Sequence, residues 1–379
     1  MNFDPTEEQQ LLAASIARFV ERDYAFEARR AIVASPRGWS ADVWRTMADL
    51  GLLGLTLPAE HGGFGGGAVD AMALMEAIGD ALIVEPWLAT VALGARLVAE
   101  AGSDAQKQRL VVDAAEGRRT MAFAHAEDDA RHALAYVATR AVVQGDGFVL
   151  HGIKRAVANA HAADTLVVSA RTAGGVDDRD GIGLFVVDRG APGMTTHALR
   201  MLDGTRAADV ALAGVQVPRD ACVGSPGGAL PSIEAAIDFA TALVCAEAVG
   251  AMRSANDATL DYLKTRKQFG VPIGAFQALQ HRMVDLAIEL EQARSMASLA
   301  CAAVDANKDP ANRARVVSAA KVRIADACLR VSQETVQLHG GMGMSDELKI
   351  SHTFRRLTAL AQQFGDADHH LARLAAMSR

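Results

Sequence analysis

Behind Thr6 and Gln9, which are spaced to form a capping box, Leu11, Leu12, Ile16, Phe19 and Val20 recur at helical spacing, so the chain is predicted to open with a helix. Ala- and Leu-rich segments of the same period continue to about Gly117, interrupted by the glycine-rich stretch His61 to Gly67 and by Glu85 and Pro86. From Thr120 to Gly224 the pattern changes to short Val- and Leu-rich runs, at 140–143, 148–150, 165–168 and 183–187, separated by turn residues. Gly145, Asp146 and Gly147 between two of these runs are a hairpin signal. After Pro231 the helical period returns, and Leu279, Met283, Leu286, Leu290, Ala293 and Ala297 mark one seam of a bundle. Segments 233–264 and 312–338 read the same way. The predicted fold class is therefore α+β, with a helical domain over 1–119, a β domain over 120–224 and a helical bundle over 225–379.

With 379 residues, half of them apolar, the chain can bury a large core. A net charge of -7 without a Lys/Arg stripe excludes the electrostatic footprint of a nucleic-acid binder. Cys222, Cys245, Cys301 and Cys328 form no C-x-x-C pair, which points to buried free thiols rather than a zinc site or a disulfide framework. The first residues lack the basic region and apolar block of a signal peptide, and charges, glycines or prolines are expected to interrupt any membrane-spanning stretch, so a cytoplasmic protein without a membrane partner is expected. The glycines at 62–67 follow no strand and precede no Gly-Lys-Ser/Thr, so a turn is favoured over a phosphate loop.

Three blocks carry a family likeness: GLLGL at 51–55 with EHGGFGG at 60–66; YLKTRKQFGVPI at 262–273 with Phe276 and Gln277; and QLHGGMG at 337–343. On these the chain resembles the acyl-CoA dehydrogenases along almost its whole length. The resemblance implies an all-α amino-terminal domain, a small β-barrel middle domain and a carboxy-terminal four-helix bundle. It also implies FAD held across a dimer interface, where the bundle of one subunit serves the pyrophosphate and adenine end of its neighbour's flavin. Arg266, Gln268, Phe269, Gln277, Gln337, Gly340 and Gly341 match that cofactor-binding half. Its chemistry fits: a guanidinium suits a diphosphate, a ring can stack on adenine, and paired glycines permit close backbone approach. Taken singly, Arg266 would be a surface cation, Phe269 a core residue and the glycines a helix end.

The other half of the site departs from the family. Where relatives carry a T-E-P-x-A-G-S-D-like segment, this chain reads AFAHAEDDARH at 122–132, with Ala126 for the Thr and His132 for the Ser. Where they carry G-x-K-x-W-I-T-N, it reads GIKRAVAN at 152–159, with Ala156 and Ala158 at the ring-contacting Trp and Thr. The catalytic base is missing too. The family's Glu before a Gly is Phe364 here, and the alternative Glu position on an earlier helix aligns with Ala240; neither can take a proton. Asp238 is two residues away on another helix face, and is read either as a substrate contact to the pantetheine arm or as a helix cap. Asp366 replaces a family Thr at the flavin pyrophosphate, where a carboxylate would repel that group. His369 and His370 diverge on a helix, so a solvated face is expected rather than a metal site.

The ending FGDADHHLARLA at 364–375 resembles small subunits of pimeloyl-CoA dehydrogenase and related steroid-degrading heteromers. The resemblance implies a subunit, inactive alone, of an α2β2 FAD-dependent acyl-CoA dehydrogenase. Its large-subunit partner would supply the Glu, and electrons from the acyl-CoA substrate would pass to an electron-transfer flavoprotein. Two alternatives stand beside this reading: a self-associating, self-sufficient homotetramer with a base elsewhere, and a structural subunit with no share in the flavin site.

Overall fold

The capping box forms as expected. Thr6 Oγ1 accepts from the Gln9 amide, the Gln9 side-chain oxygen accepts from the Thr6 amide, and α1 (Glu7–Asp23) follows. The computed structural model describes residues 6–306 and 309–377 of the chain. Helices α2 (Phe26–Ala34), α3 (Ala41–Asp49), α4 (Ala68–Ala81), α5 (Arg96–Ala101), α6 (Asp104–Gln106) and α7 (Val112–Ala115) complete the first part, with π-helical turns at Leu88–Ala95 and Lys107–Val111. The glycine-rich stretch is a turn. Amides of Gly63, Phe64, Gly65 and Gly66 are spent on carbonyls of Pro58, Gly54, Leu57 and Leu55. A Cβ at Gly63 would lie 2.1 Å from the Leu57 carbonyl oxygen, so this crossing requires glycine.

The middle strands are β1 (Met121–Ala124), β2 (Arg140–Gln144), β3 (Gly147–Ala158), β4 (Thr165–Arg171), β5 (Ile182–Asp188), β6 (Met194–Arg200), β7 (Arg206–Pro218) and β8 (Cys222–Val223). Gln144 pairs with Gly147, so Gly145 and Asp146 make the predicted two-residue hairpin turn, with Gly145 at φ 59°. The ladder runs β6-β7-β3-β2-β4-β5-β8, and β1 joins β4 in parallel. Phe148 of β3 and Phe185 of β5 lie three strands apart, about 14 Å in a flat sheet, yet their ring centroids are 4.9 Å apart. The sheet is therefore rolled around one core, which gathers Leu150, Leu166, Val187, Val210 and Val215.

The last part holds α8 (Leu230–Thr265), a hairpin of β9 (Lys267–Gln268) and β10 (Val271–Pro272), then α9 (Gln277–Ala306), α10 (Pro310–His339), α11 (Lys349–Gln362) and α12 (Ala367–Met377). Along the predicted seam of α9, Leu286, Leu290, Ala293 and Ala297 are buried. Asp309 caps α10 through the Ala311 amide, with Pro310 at the first helical position, where a missing N–H costs nothing. Contacts group the chain into two compact units: one holds 1–31, 68–84 and 241–379, and the other 32–67 and 85–240. Thus α1 and α4 belong with the carboxy-terminal helices, whereas α3 and α5–α7 belong with the sheet.

Two expectations are corrected. Helix α8 is long and apolar enough to cross a membrane by length and composition, although none was anticipated; its apolar window is 89% buried within the protein. Cys245, Cys301 and Cys328 are buried free thiols as expected, and burial pushes Cys245 and Cys328 up to about 12, but Cys222 is only half-buried.

Candidate functional site

The residues assigned to a neighbour's flavin lie on two chain segments of the bundle unit. Arg266 follows the last turn of α8: its amide donates to the Tyr262 carbonyl at 2.8 Å, and its own carbonyl accepts from Ile273 at 2.8 Å, closing the hairpin. Gln268 pairs with Val271, which leaves Phe269 and Gly270 as the two turn residues, at φ 54° and 81°. A left-handed Phe costs about 1–2 kcal/mol, and the outcome is a ring 91% exposed to solvent. Phe276 meets it edge-on with centroids 6.2 Å apart, just before Gln277 begins α9.

The second segment is the end of α10. Gln337 is exposed, and Gly340 ends the helix at φ 60°, ψ -144°, which glycine alone adopts without strain. A Cβ at Gly340 or Gly341 would meet no atom within 4 Å, so the chain's own packing does not exclude a side chain at either position. Tyr262 joins the two segments by stacking on His339, with centroids 4.5 Å apart and planes at 25°. Arg266 forms no ion pair among the described residues.

The opposite set lies in the sheet unit. A bulge between Lys154 and Val157 turns Ala156 to φ 46°, and the Ala156 amide donates to Asp209 at 2.9 Å. The Arg155 amide donates to the Ala126 carbonyl at 2.8 Å, so Ala126 adjoins the bulge. Ala126, Ala156 and Ala158 are all exposed and offer no side-chain polar atom. Arg155 bridges Asp128 and Asp209, at 2.9 and 2.7 Å.

Beneath the bulge is a buried polar chain whose separate members gave no sequence signal beyond the G-x-K motif. Lys154 Nζ donates to Glu127 at 2.7 Å, to Ser169 at 2.9 Å and to the His125 carbonyl at 3.2 Å. Burial pulls Lys154 down to about 8 against the pull of Glu127, so the ammonium is still charged at neutral pH. Burial opposes the Glu127 charge, but Lys154 and the Thr139 amide outweigh it and hold the carboxyl low. His125, with Nδ1 2.9 Å from Ser169 Oγ, is pushed down to about 3 by burial and by Lys154.

At the position where the resemblance expects the family's Glu, Phe364 takes φ 61° and Gly365 φ 116°. A Cβ on Gly365 would lie 2.5 Å from His369 Cδ2 and 2.9 Å from His370 Nε2. Asp366 accepts from the His369 amide at 2.8 Å and so caps α12. Buried Lys321 donates to the carbonyls of Leu360 and Ala361 and steadies the end of α11. The solvated face expected for the histidine pair is wrong for His370. That ring is 1% exposed and lies within 3.2 Å of both Ser318 Oγ and the Phe364 carbonyl, because the tight Gly365 turn folds the start of α12 inward. The capping role considered for Asp238 is also excluded, since it sits more than two turns inside α8, 1% exposed. Ala240 is fully buried.

Models of the acyl-CoA dehydrogenase amino-terminal, middle and carboxy-terminal domains match residues 6–118, 122–215 and 230–378. Probable acyl-CoA dehydrogenase YngJ of Bacillus subtilis is 30% identical over 379 residues, covering 99% of this chain and 98% of that protein. The chain belongs to the acyl-CoA dehydrogenase family. Among solved structures, a chain of the ChsE4-ChsE5 complex from Mycobacterium tuberculosis superposes with TM-score 0.89 at 27% identity, covering 99% of this chain and 98% of that one. The glutaryl-coenzyme A dehydrogenase glutaryl-CoA complex gives TM-score 0.92 at 26% identity, covering 100% of this chain and 96% of that one.

This family consists of FAD-dependent dehydrogenases. The acyl-CoA dehydrogenase chain described here fits the cofactor unevenly. Its bundle unit offers a guanidinium with no ion pair among the described residues, an exposed ring and two uncrowded glycines, groups suited to a dinucleotide's phosphates and adenine. The corresponding surface of its sheet unit offers three methyl groups.

Proposed function

We propose that this chain is the small subunit of a heteromeric acyl-CoA dehydrogenase of the pimeloyl-CoA dehydrogenase kind, an α2β2 assembly in which the large subunit supplies the catalytic Glu. One observation carries the reading. Arg266, Gln268, Phe269, Gln277, Gln337, Gly340 and Gly341 are retained and exposed, while Ala126, Ala156, Ala158, Phe364 and Ala240 have lost every group that would serve the chain's own flavin ring. The likeness to a chain of the ChsE4-ChsE5 complex from Mycobacterium tuberculosis supports a two-component assembly.

Bound FAD supplies a hydride acceptor for the carbon β to the thioester. The proton on the α carbon needs a carboxylate, and neither Phe364 nor Ala240 has one. This chain's share is positional. Arg266 would neutralise and orient a diphosphate, Phe269 would stack on adenine, and the Gly340 and Gly341 backbone would approach the nucleotide closely. The partner would supply the ring-binding surface. Electrons would leave to an electron-transfer flavoprotein in the cytoplasm.

Purification of the chain alone tests the proposal. A preparation with much less than one FAD per chain and no turnover of pimeloyl-CoA is expected, because loss of a positioned base costs about 10²- to 10⁴-fold. One FAD per chain that bleaches with an acyl-CoA at ordinary rates would instead establish a self-sufficient homo-oligomer.

A further inference from the structure

Five cation-forming side chains from separate segments meet in the sheet unit: Arg37 between α2 and α3, His161 after β3, Arg189 after β5, Arg200 ending β6 and Arg206 opening β7. His161 Nε2 donates to the Arg37 carbonyl at 2.8 Å. Arg189 reaches the carbonyls of His161 and Ala162, each at 3.4 Å. Arg206 packs so tightly on Gly38 that a Cβ there would fall 2.4 Å from its Cγ, and the Arg37 guanidinium lies 4.7 Å from the Trp39 ring centroid. The guanidiniums of Arg37, Arg189 and Arg206 are thus held in place by backbone and aromatic contacts.

Their charge meets no ion-pair partner among the described residues. Arg37, Arg189, Arg200 and Arg206 form no ion pair among the described residues, in contrast with Arg155, Arg323 and Arg356. Of the acids nearest in sequence, Asp188 bonds Thr165 and Arg119, Asp164 bonds Thr120, and Asp203 bonds Thr205. Arg200 and Arg206 are directly opposed across β6 and β7, an arrangement of like charges that destabilises a strand pair. Arg206 Nε and the Nδ2 of Asn159, whose amide bonds the Arg206 carbonyl, are both buried without a hydrogen-bond partner. So is His161 Nδ1, which becomes a donor when the ring is protonated.

We propose that this cluster is a binding site for a phosphate group, either inorganic phosphate or a phosphomonoester. Guanidinium forks match tetrahedral oxyanions, and one such group would neutralise the Arg200 and Arg206 repulsion. The unpartnered nitrogens are buried, which favours a small oxyanion over a flat acidic protein face as their partner. Burial lowers His161, and the fields of Arg206, Arg189 and Arg37 lower it further; a bound anion would reverse the second effect. The site does not depend on the flavin reading.

The test titrates the full-length chain with inorganic phosphate and, separately, with adenosine 3′-monophosphate at constant ionic strength, following ³¹P NMR and thermal unfolding. Phosphate should raise the unfolding temperature. Arg206→Gln and Arg37→Gln should each weaken binding by roughly ten- to a hundredfold. Arg200→Gln should weaken binding while leaving the phosphate-free unfolding temperature unchanged or higher, and as an exposed strand-end residue it provides the test if Arg206→Gln does not fold. Tighter binding of the nucleotide identifies a phosphomonoester ligand, and binding of phosphate alone identifies the free ion. Absence of binding by both anions, or equal constants in the parent and the variants, would overturn the site, as would binding confined to an acidic peptide.

Discussion

Tyr262 stacks on His339 at a centroid distance of 4.5 Å, and this contact ties the stem of the Arg266 hairpin to the helix end that carries Gln337 and Gly340. His339 is itself fixed by a 2.8 Å hydrogen bond between Nδ1 and the Thr335 carbonyl. Tyr262→Ala should therefore lower stability by about 1–3 kcal/mol and weaken flavin binding by a partner subunit without removing any flavin contact. Tyr262→Phe keeps the ring and should match the parent in both. Chemical denaturation of all three proteins checks this, and an Ala variant as stable as the parent would show that the stack does no structural work.

Helices α4 and α8 touch backbone to backbone. A Cβ on Gly79 would lie 1.9 Å from the Glu247 carbonyl oxygen, and one on Gly250 would lie 1.9 Å from that of Glu76. Neither carbonyl can swing aside as a side chain would. Gly79→Ala and Gly250→Ala should each cost about 1–3 kcal/mol or more as overpacking, despite the better helix propensity of alanine. Unfolding midpoints in urea give the answer, and an unchanged midpoint would refute the close approach.

Two buried histidines set an acid limit. His125 and His370 are both pushed down to about 3, chiefly by burial, while an unfolded histidine titrates near 6.5. Between those values the unfolded chain binds protons that the folded chain does not, so stability is full above about 6.5 and falls as the pH drops towards 3, by up to about 1.4 kcal/mol per pH unit for each ring. Most carboxylates stay ionised above pH 5, so thermal unfolding between pH 6.5 and 5 reports on the lowered histidines, to which His161 and His352 add in the same direction. His370→Asn should flatten the slope; an identical slope would mean that His370 is not held neutral.

Local patterns were legible in the sequence wherever the deciding contacts are a few residues apart. The Thr6 and Gln9 box, the Gly145 turn and the α9 seam all appear as expected. What could not be read depends on distant partners. His370 is buried because the Gly365 turn brings it against Ser318, and no periodicity over 366–370 reveals that. The sequence leaves the start of α8 open, so a cap stands beside a substrate contact for Asp238, and the charges and glycines within 230–265 hide its continuous apolar span. Nor could the five segments of the basic cluster be joined without the sheet order. The candidate flavin residues rest on the family resemblance, and only the structure brings Arg266 and Gly340 together through Tyr262 and His339.

The central claim is that this chain completes a flavin site belonging to another subunit. The most direct measurement is the FAD dissociation constant of the complex reconstituted with a Glu-bearing large subunit, with Arg266 and with Arg266→Ala. Arg266 is exposed and forms no ion pair among the described residues, so the substitution should leave the fold unchanged. Loss of a charge-assisted phosphate contact should weaken FAD binding by roughly ten- to a hundredfold, about 1.5–3 kcal/mol. Equal dissociation constants would contradict the account, because they would mean that this bundle does not reach the partner's flavin.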